Sequence, residues 1–392
     1  MTTIRSNWGS RAVIVAGLGL AILLHGCAPA QPPGPAPPRQ VPAMPFIQLS
    51  ANGRGFTFSN NGDRFVPWGF NYDHDHDQAR LIEDYWHEEW AAVAGDFHEM
   101  KALGANVARV HLQFGKFMRS AHEPDARNLA QLRRLLRLAE DTGLYLNLTG
   151  LGCYHQADVP AWYDALEETG RWEAQARFWE EVARVCAPSP AVFCYDLMNE
   201  PVSPAGRGAP GAWLGPPLAG KHFVQYISLD SAGRERAEIG RLWVARLLRA
   251  IRRHDRRHLV TVGLVDWSLE RPGLTSGMEP AKVGAELDFI SVHLYPRAGG
   301  LAEDVATLKG FAAIGKPVVI EETFPLQCPV REFARFIDAS RAHAGGWFLF
   351  YWGKTIEELG SQPKTLGDAL LKAGLEFFRD QRPPETGRRR QP

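Results

Sequence analysis

Eight short runs of apolar, β-branched or aromatic residues recur along this chain, each followed by enough polar sequence for a helix. They are RFVPWGFNY (64–72), ANVARVHL (105–112), LYLNLTGL (144–151), VFCYDLMNE (192–200), HLVTVGLV (258–265), DFISVHLY (288–295), PVVIEET (317–323) and GWFLFYWG (346–353). Between them, RNLAQLRRLLRLAEDTG repeats leucine at three- and four-residue spacing and closes on Gly143. That is the pattern of an amphipathic helix with its stop signal. RAEIGRLWVARLLRAIRRHD and VREFARFIDASRAHAGG do the same. Strands covered by helices on both faces read as near-continuous apolar sequence. Strand and helix alternating eight times over predict an α/β fold of the (β/α)8 TIM barrel type. A doubly wound sheet is the competing arrangement. No Gly-rich loop of the GxGxxG type follows the first run, which lowers it.

Ahead of the first run, ANGRG and NNGD place Asn-Gly between apolar alternations and predict an N-terminal β-hairpin region. The barrel domain is expected over 46–380, with a basic, disordered tail over 381–392. Residues 1–27 read differently. Arg5 and Arg11 precede the apolar run AVIVAGLGLAILL, then HGCAPA offers small residues for cleavage, which is the layout of a signal peptide. LHGC resembles a bacterial lipobox, with Cys27 as the lipidated residue. The Pro-rich stretch 28–45 is an extended linker. The expectation is an exported lipoprotein, touching a membrane only through that anchor. Cys153, Cys186, Cys194 and Cys328 show neither CxxC nor zinc-ligand spacing and read as free buried thiols.

The catalytic face of such a barrel is formed by the C-terminal ends of its strands. Those ends carry Arg109 and His111 on the second run, Asn199-Glu200 on the fourth, and His293 and Tyr295 on the sixth. The seventh ends in Glu321-Glu322 and the eighth in Trp352. Any one of these could simply cap a loop, but the ordered set is hard to explain that way, because charges rarely sit at buried strand ends. Two carboxylates facing each other across a barrel mouth suit glycoside hydrolysis: one protonated to donate to the leaving oxygen, one ionised to attack the anomeric carbon. Arg109 would keep the nucleophile ionised, Tyr295 would position it, and Asn199 would bond the sugar 2-hydroxyl.

This set resembles glycoside hydrolase family 5, the cellulase-type retaining barrels of the Asn-Glu clan, over roughly residues 60 to 360. NEP (199–201) is the strongest match and implies that Glu200 is the acid/base. VVIEETF implies Glu322 as nucleophile beside Glu321, although Thr323 and Phe324 depart from the family pattern there. Arg109, His293, Tyr295 and Trp352 fall where the family keeps an arginine, a histidine, a tyrosine and a sugar-stacking tryptophan. The usual histidine at the third strand end is missing, and Thr149, Tyr154 or His155 stands in its place. The resemblance implies cleavage of β-linked glycans such as β-glucan or β-mannan, with no cofactor and no metal. The partner is a carbohydrate substrate, and the protein is expected to be a monomer.

Other features of the sequence bear on this reading. Lys+Arg and Asp+Glu stand at 44 each, a balance that argues against nucleic acid as a partner. The 12 tryptophans suit either core filling or sugar stacking. NYDHDHD (71–77) offers His74, His76 and Asp77 for a metal-dependent hydrolase, but ligands so close in sequence rarely converge tetrahedrally. HEEW (87–90) lacks the second histidine of a zincin helix. A catalytically inactive carbohydrate-binding barrel is the other rival, and the intact Glu200/Glu322 pair argues against it. The Gly- and Pro-rich segment 202–230 is long enough to wall a cleft, and its Trp213 and Phe223 suit either aglycone contacts or ordinary loop packing.

Overall fold

The computed structural model describes residues 44–76, 79–269, 271 and 274–383. The signal segment with Cys27, most of the linker, Asp77 and nearly all of the basic tail lie outside the described residues. Eight parallel strands close into a barrel: β1 (Trp68–Tyr72), β2 (Val107–Gln113), β3 (Tyr145–Gly152), β4 (Val192–Asn199), β5 (Leu259–Val265), β6 (Ile290–His293), β7 (Val318–Thr323) and β8 (Gly346–Trp352), with β8 pairing back onto β1. Each matches one of the runs read from the sequence.

The three periodic helices form over Ala126–Thr142, Arg236–Arg252 and Val330–Ser340. The first starts where Asp125 accepts from the Asn128 N–H at 2.7 Å and stops at Gly143, whose φ of +68° suits glycine. The alternation is weakest between β5 and β6, where the described residues hold a short 3-10 helix, Asp266–Ser268, and the single α-helical turn Pro280–Val283. That connection is rich in Gly and Pro, which interrupt helices.

The run 64–72 is not one strand. Pro67 supplies no N–H for a ladder, and the chain changes sheets there. Arg64–Phe65 joins Phe56–Phe58 and Ile47–Leu49 in a three-stranded antiparallel sheet, so the two Asn-Gly signals make two hairpins. Ile47, Phe56 and Phe65 pack on Val107, Tyr145, Phe193, Leu259, Phe289, Val319 and Phe348, at or near the starts of barrel strands. The sheet therefore plugs the N-terminal end of the barrel, and the site is left to the other end. Most tryptophans fill core: Trp68, Trp86, Trp179 and Trp243 are fully buried. Cys153, Cys186, Cys194 and Cys328 are free and buried. No helix among the described residues is long and apolar enough to cross a membrane.

Candidate active site

At the C-terminal end of the barrel, the predicted residues converge on one guanidinium. Arg109 is fully buried and donates to Glu322 Oε1, to Asn71 Oδ1 at 2.8 Å, to Asp196 Oδ2 at 2.9 Å and to Asn199 Oδ1 at 3.0 Å. Burial works against its charge, but Glu321, Glu322 and Asp196 outweigh that and raise its pKa, so it stays a cation. Tyr295 donates to the other oxygen of Glu322 at 2.6 Å. Burial and the Glu322 charge push the phenol pKa up, so it remains a donor.

Glu200 sits one residue past β4 with φ +47°, an uncommon conformation for a residue with a side chain. Its N–H donates to Gly263 O on β5 at 3.0 Å, which ties this turn to the next strand. Its carboxylate lies 2.9 Å from His293 Nδ1 and is 17 % exposed. Carboxylate oxygens of Glu200 and Glu322 and a ring nitrogen of His293 all lie within 4.8 Å of one another. Burial opposes a charge on His293, but Glu322, Glu200 and Glu321 raise it to about 10, which makes it an imidazolium at neutral pH.

The two consecutive glutamates do not diverge. Alternation along a regular strand would send Glu321 to the opposite side from Glu322. Instead Glu321, fully buried, accepts from Asn147 Nδ2 and lies 3.7 Å from both Arg109 Nε and His293 Nε2. The pairing register slips between Ile320 and Thr323 on the β8 side and between Val292 and His293 on the β6 side. Both carboxylates therefore turn inward, Glu322 at the mouth and Glu321 beneath it. Burial pushes Glu321 up, but Arg109, His293 and Asn147 hold its carboxyl below the usual range.

Three inner polar residues escaped the sequence reading. Asn71 ties Arg109 to the Glu321 carbonyl, Asn147 holds Glu321, and Asp196 accepts from Arg109, from Thr149 at 2.7 Å and from the Gly263 N–H at 2.7 Å. Burial and Glu321 push the Asp196 carboxyl up, and Arg109 restrains it. Their signal was available: Asn147 and Thr149, like Arg109 and His111, are polar residues two apart inside apolar strands.

Of the candidates for the third strand end, Tyr154 reaches the cleft, where its hydroxyl contacts His111 Nδ1. His155 instead faces the Ala79 carbonyl at 2.8 Å. Trp352 lies outside the network, 1 % exposed, with Tyr72 and His74 stacked 6.0 and 6.4 Å away. From β8, Phe350 lines the cavity beside the site. The histidines and aspartates of the β1 loop pair separately: His74 with Asp96 at 2.9 Å, Asp75 with Arg80, and His76 with Asp73 at 2.7 Å. Among the described residues, the ligand-type atoms that converge belong to Glu200, His293 and Glu322, not to this loop.

A model of the family described as cellulase (glycosyl hydrolase family 5) matches residues 67–323. No curated protein matches the chain. Among solved structures, the exo-β-1,4-mannosidase Op5Man5 from Opitutaceae bacterium strain TAV5 aligns with a TM-score of 0.59 at 20% identity, covering 85% of this chain and 61% of that one. A GH5_18 protein from Streptomyces cattleya in complex with GlcNAc aligns at 0.58 and 19% identity, covering 81% and 80% of the two chains. The endo-1,4-β-mannanase from Eisenia fetida aligns at 0.58 and 15% identity, covering 86% and 95%. At these identities the likeness speaks to the fold.

Proposed function

The chain belongs to glycosyl hydrolase family 5, and from that premise we propose that it is a retaining hydrolase of β-linked glycosides, with Glu322 as nucleophile and Glu200 as acid and then base. One observation carries this reading: carboxylate oxygens of Glu200 and Glu322, from the ends of β4 and β7, approach within 4.8 Å. Direct attack uses carboxyl groups about 5–5.5 Å apart, whereas an intervening water needs about 6.5–9.5 Å. Glu322, bonded by Arg109 and Tyr295, attacks C1 as Glu200 protonates the departing oxygen. Esterification removes the charge of Glu322. In the second step Glu200, 2.9 Å from His293 Nδ1, takes a proton from the water that attacks C1 and releases Glu322. The neighbours named as a β-mannosidase and a β-mannanase support a β-mannoside as the first substrate to try, with β-glucosides beside it.

A 2-deoxy-2-fluoro glycoside should form a stable ester that peptide mapping places on Glu322. Glu200→Ala should slow substrates with poor leaving groups by about 10²–10⁴-fold and activated aryl glycosides far less. A label on Glu321 would reverse the nucleophile assignment, and an α-anomer as first product would discard retention. On the sequence alone, we also propose export and lipid attachment through Cys27.

A further inference from the structure

The long connection after β4 folds back across the barrel mouth. Pro201–Val202 pairs in parallel with Gln225–Tyr226. The excursion is pinned from below. Trp213, 3 % exposed, lies over the Arg171 guanidinium at 4.4 Å, and Arg171 lies over Tyr163 at 3.6 Å. Trp172 donates to the Ile227 carbonyl at 2.6 Å and Gln225 to the Leu151 carbonyl at 3.1 Å.

These contacts fix residues 221–223. Lys221 Nζ reaches Asp73, just past β1, at 3.2 and 3.3 Å. The His222 N–H donates to the Tyr154 carbonyl, just past β3, at 2.8 Å. The Phe223 ring lies 5.5 Å from Tyr154 and 6.4 Å from Phe350 of β8, and its carbonyl accepts from Asn199 at 3.1 Å. One short segment thus bridges the ends of β4, β3, β1 and β8. The loops on the other side of the mouth, after β5 and β7, carry Leu274 and Leu326, 50 % and 61 % exposed.

The bridge is not a loose surface pair. The Lys221 side chain is 5 % exposed, and a cation that deep requires its partner. Asp73 is shared with His76. Burial pushes its carboxyl up, yet His76 and Lys221 hold it below the usual range. Beneath the segment lies a cavity lined by Asn71, Asp73, His111, Tyr154, Lys221 and Phe350. Asn199, the group suited to a 2-hydroxyl, is bonded to Phe223. The 2-hydroxyl belongs to the ring whose C1 is attacked, so that ring lies on the bridged side.

We propose that residues 221–223, held by the Lys221–Asp73 pair, close the glycone end of the cleft after one sugar, so that the enzyme removes single residues from the non-reducing end of a β-linked chain, and that Lys221 and Asp73 hydrogen-bond the hydroxyls of that terminal sugar. This rests on the hydrolase reading above. Charged groups bond hydroxyls strongly, and a ring without those hydroxyls forgoes the bonds, whereas a longer glycone meets the bridge.

The test uses the full-length protein with β-1,4-linked manno- and gluco-pentaose labelled at the reducing end. The expected products are free monosaccharide and a labelled tetramer, then a labelled trimer. Early release of unlabelled di- or trisaccharide would overturn the closure while leaving the hydrolase reading intact. Failure to cleave either pentaose or any aryl β-glycoside would overturn both. Lys221→Ala and Asp73→Ala should each raise KM for an aryl β-monoglycoside by roughly tenfold or more and let unlabelled disaccharide appear. Lys221→Arg, which keeps a cation facing Asp73, should retain single-residue release. Unaltered KM and products in both alanine variants would remove these residues from substrate recognition.

Discussion

Arg109 donates to Glu322, Asn71, Asp196 and Asn199 from a guanidinium that water does not reach. A lysine could not replace it, because one ammonium lacks the planar fork that serves acceptors on several sides. Around it, Asp196, Glu321 and Glu322 bring more negative charge than one cation balances, and His293 supplies the second. That arrangement has a pH signature. The folded His293 titrates at about 10, against about 6.5 for an unfolded histidine. Between those values the native state holds a proton that the unfolded state has lost, so stability falls as pH rises. The contribution is fully present below about pH 6.5 and gone above about pH 10. The urea midpoint should therefore decline across that window more steeply in the wild type than in His293→Gln. Parallel pH profiles would show that His293 is neutral in the fold.

At the scale of elements, the two ends of the barrel do different work. The N-terminal end is sealed by the three-stranded sheet, in which Phe56 meets Phe193 and Phe289 edge-on at 5.2 Å. Phe56→Ala should leave a cavity costing about 3–5 kcal/mol. Because the sheet packs on strand starts and the carboxylates stand at strand ends, kcat at a temperature where the variant stays folded should match the wild type. A thermal scan with matched kinetics reads both quantities, and a large fall in kcat would show that the plug reaches the site. At the other end, irregular register does what regular alternation cannot. The slips around β7 let adjacent glutamates share Arg109 and His293. Only such a strand can put one carboxylate at the mouth and a second directly beneath it.

On the scale of the whole molecule, Met44 begins the compact unit that contains the barrel, and Cys27 precedes it in the sequence. The proposed lipid attachment rests on Cys27, so a single substitution tests it. Cys27→Ser should move the protein from the detergent-soluble membrane fraction to the aqueous one, with unchanged specific activity. A wild-type protein that is already aqueous would end the lipoprotein reading.

The sequence by itself determined the class of fold, because strand and helix periodicity are local properties of the chain and eight repeats leave few ways to close. It also located Arg109, Asn199, Glu200, His293, Tyr295 and Glu322, because position along a barrel strand is height in the barrel, so strand ends must meet. The short strand over Arg64–Phe65 was blurred into its neighbour, since a change of sheet at Pro67 leaves the apolar pattern intact. Only the tertiary structure decided how deep each polar group lies: that Asn71, Asn147 and Asp196 form a floor under the carboxylates, that Glu321 turns inward, and that Trp352 packs against Tyr72. Only it brought Lys221 to Asp73, 148 residues away. Such pairings depend on register slips and on where a long loop returns, and both are settled by packing against the rest of the barrel rather than by any local stretch of residues.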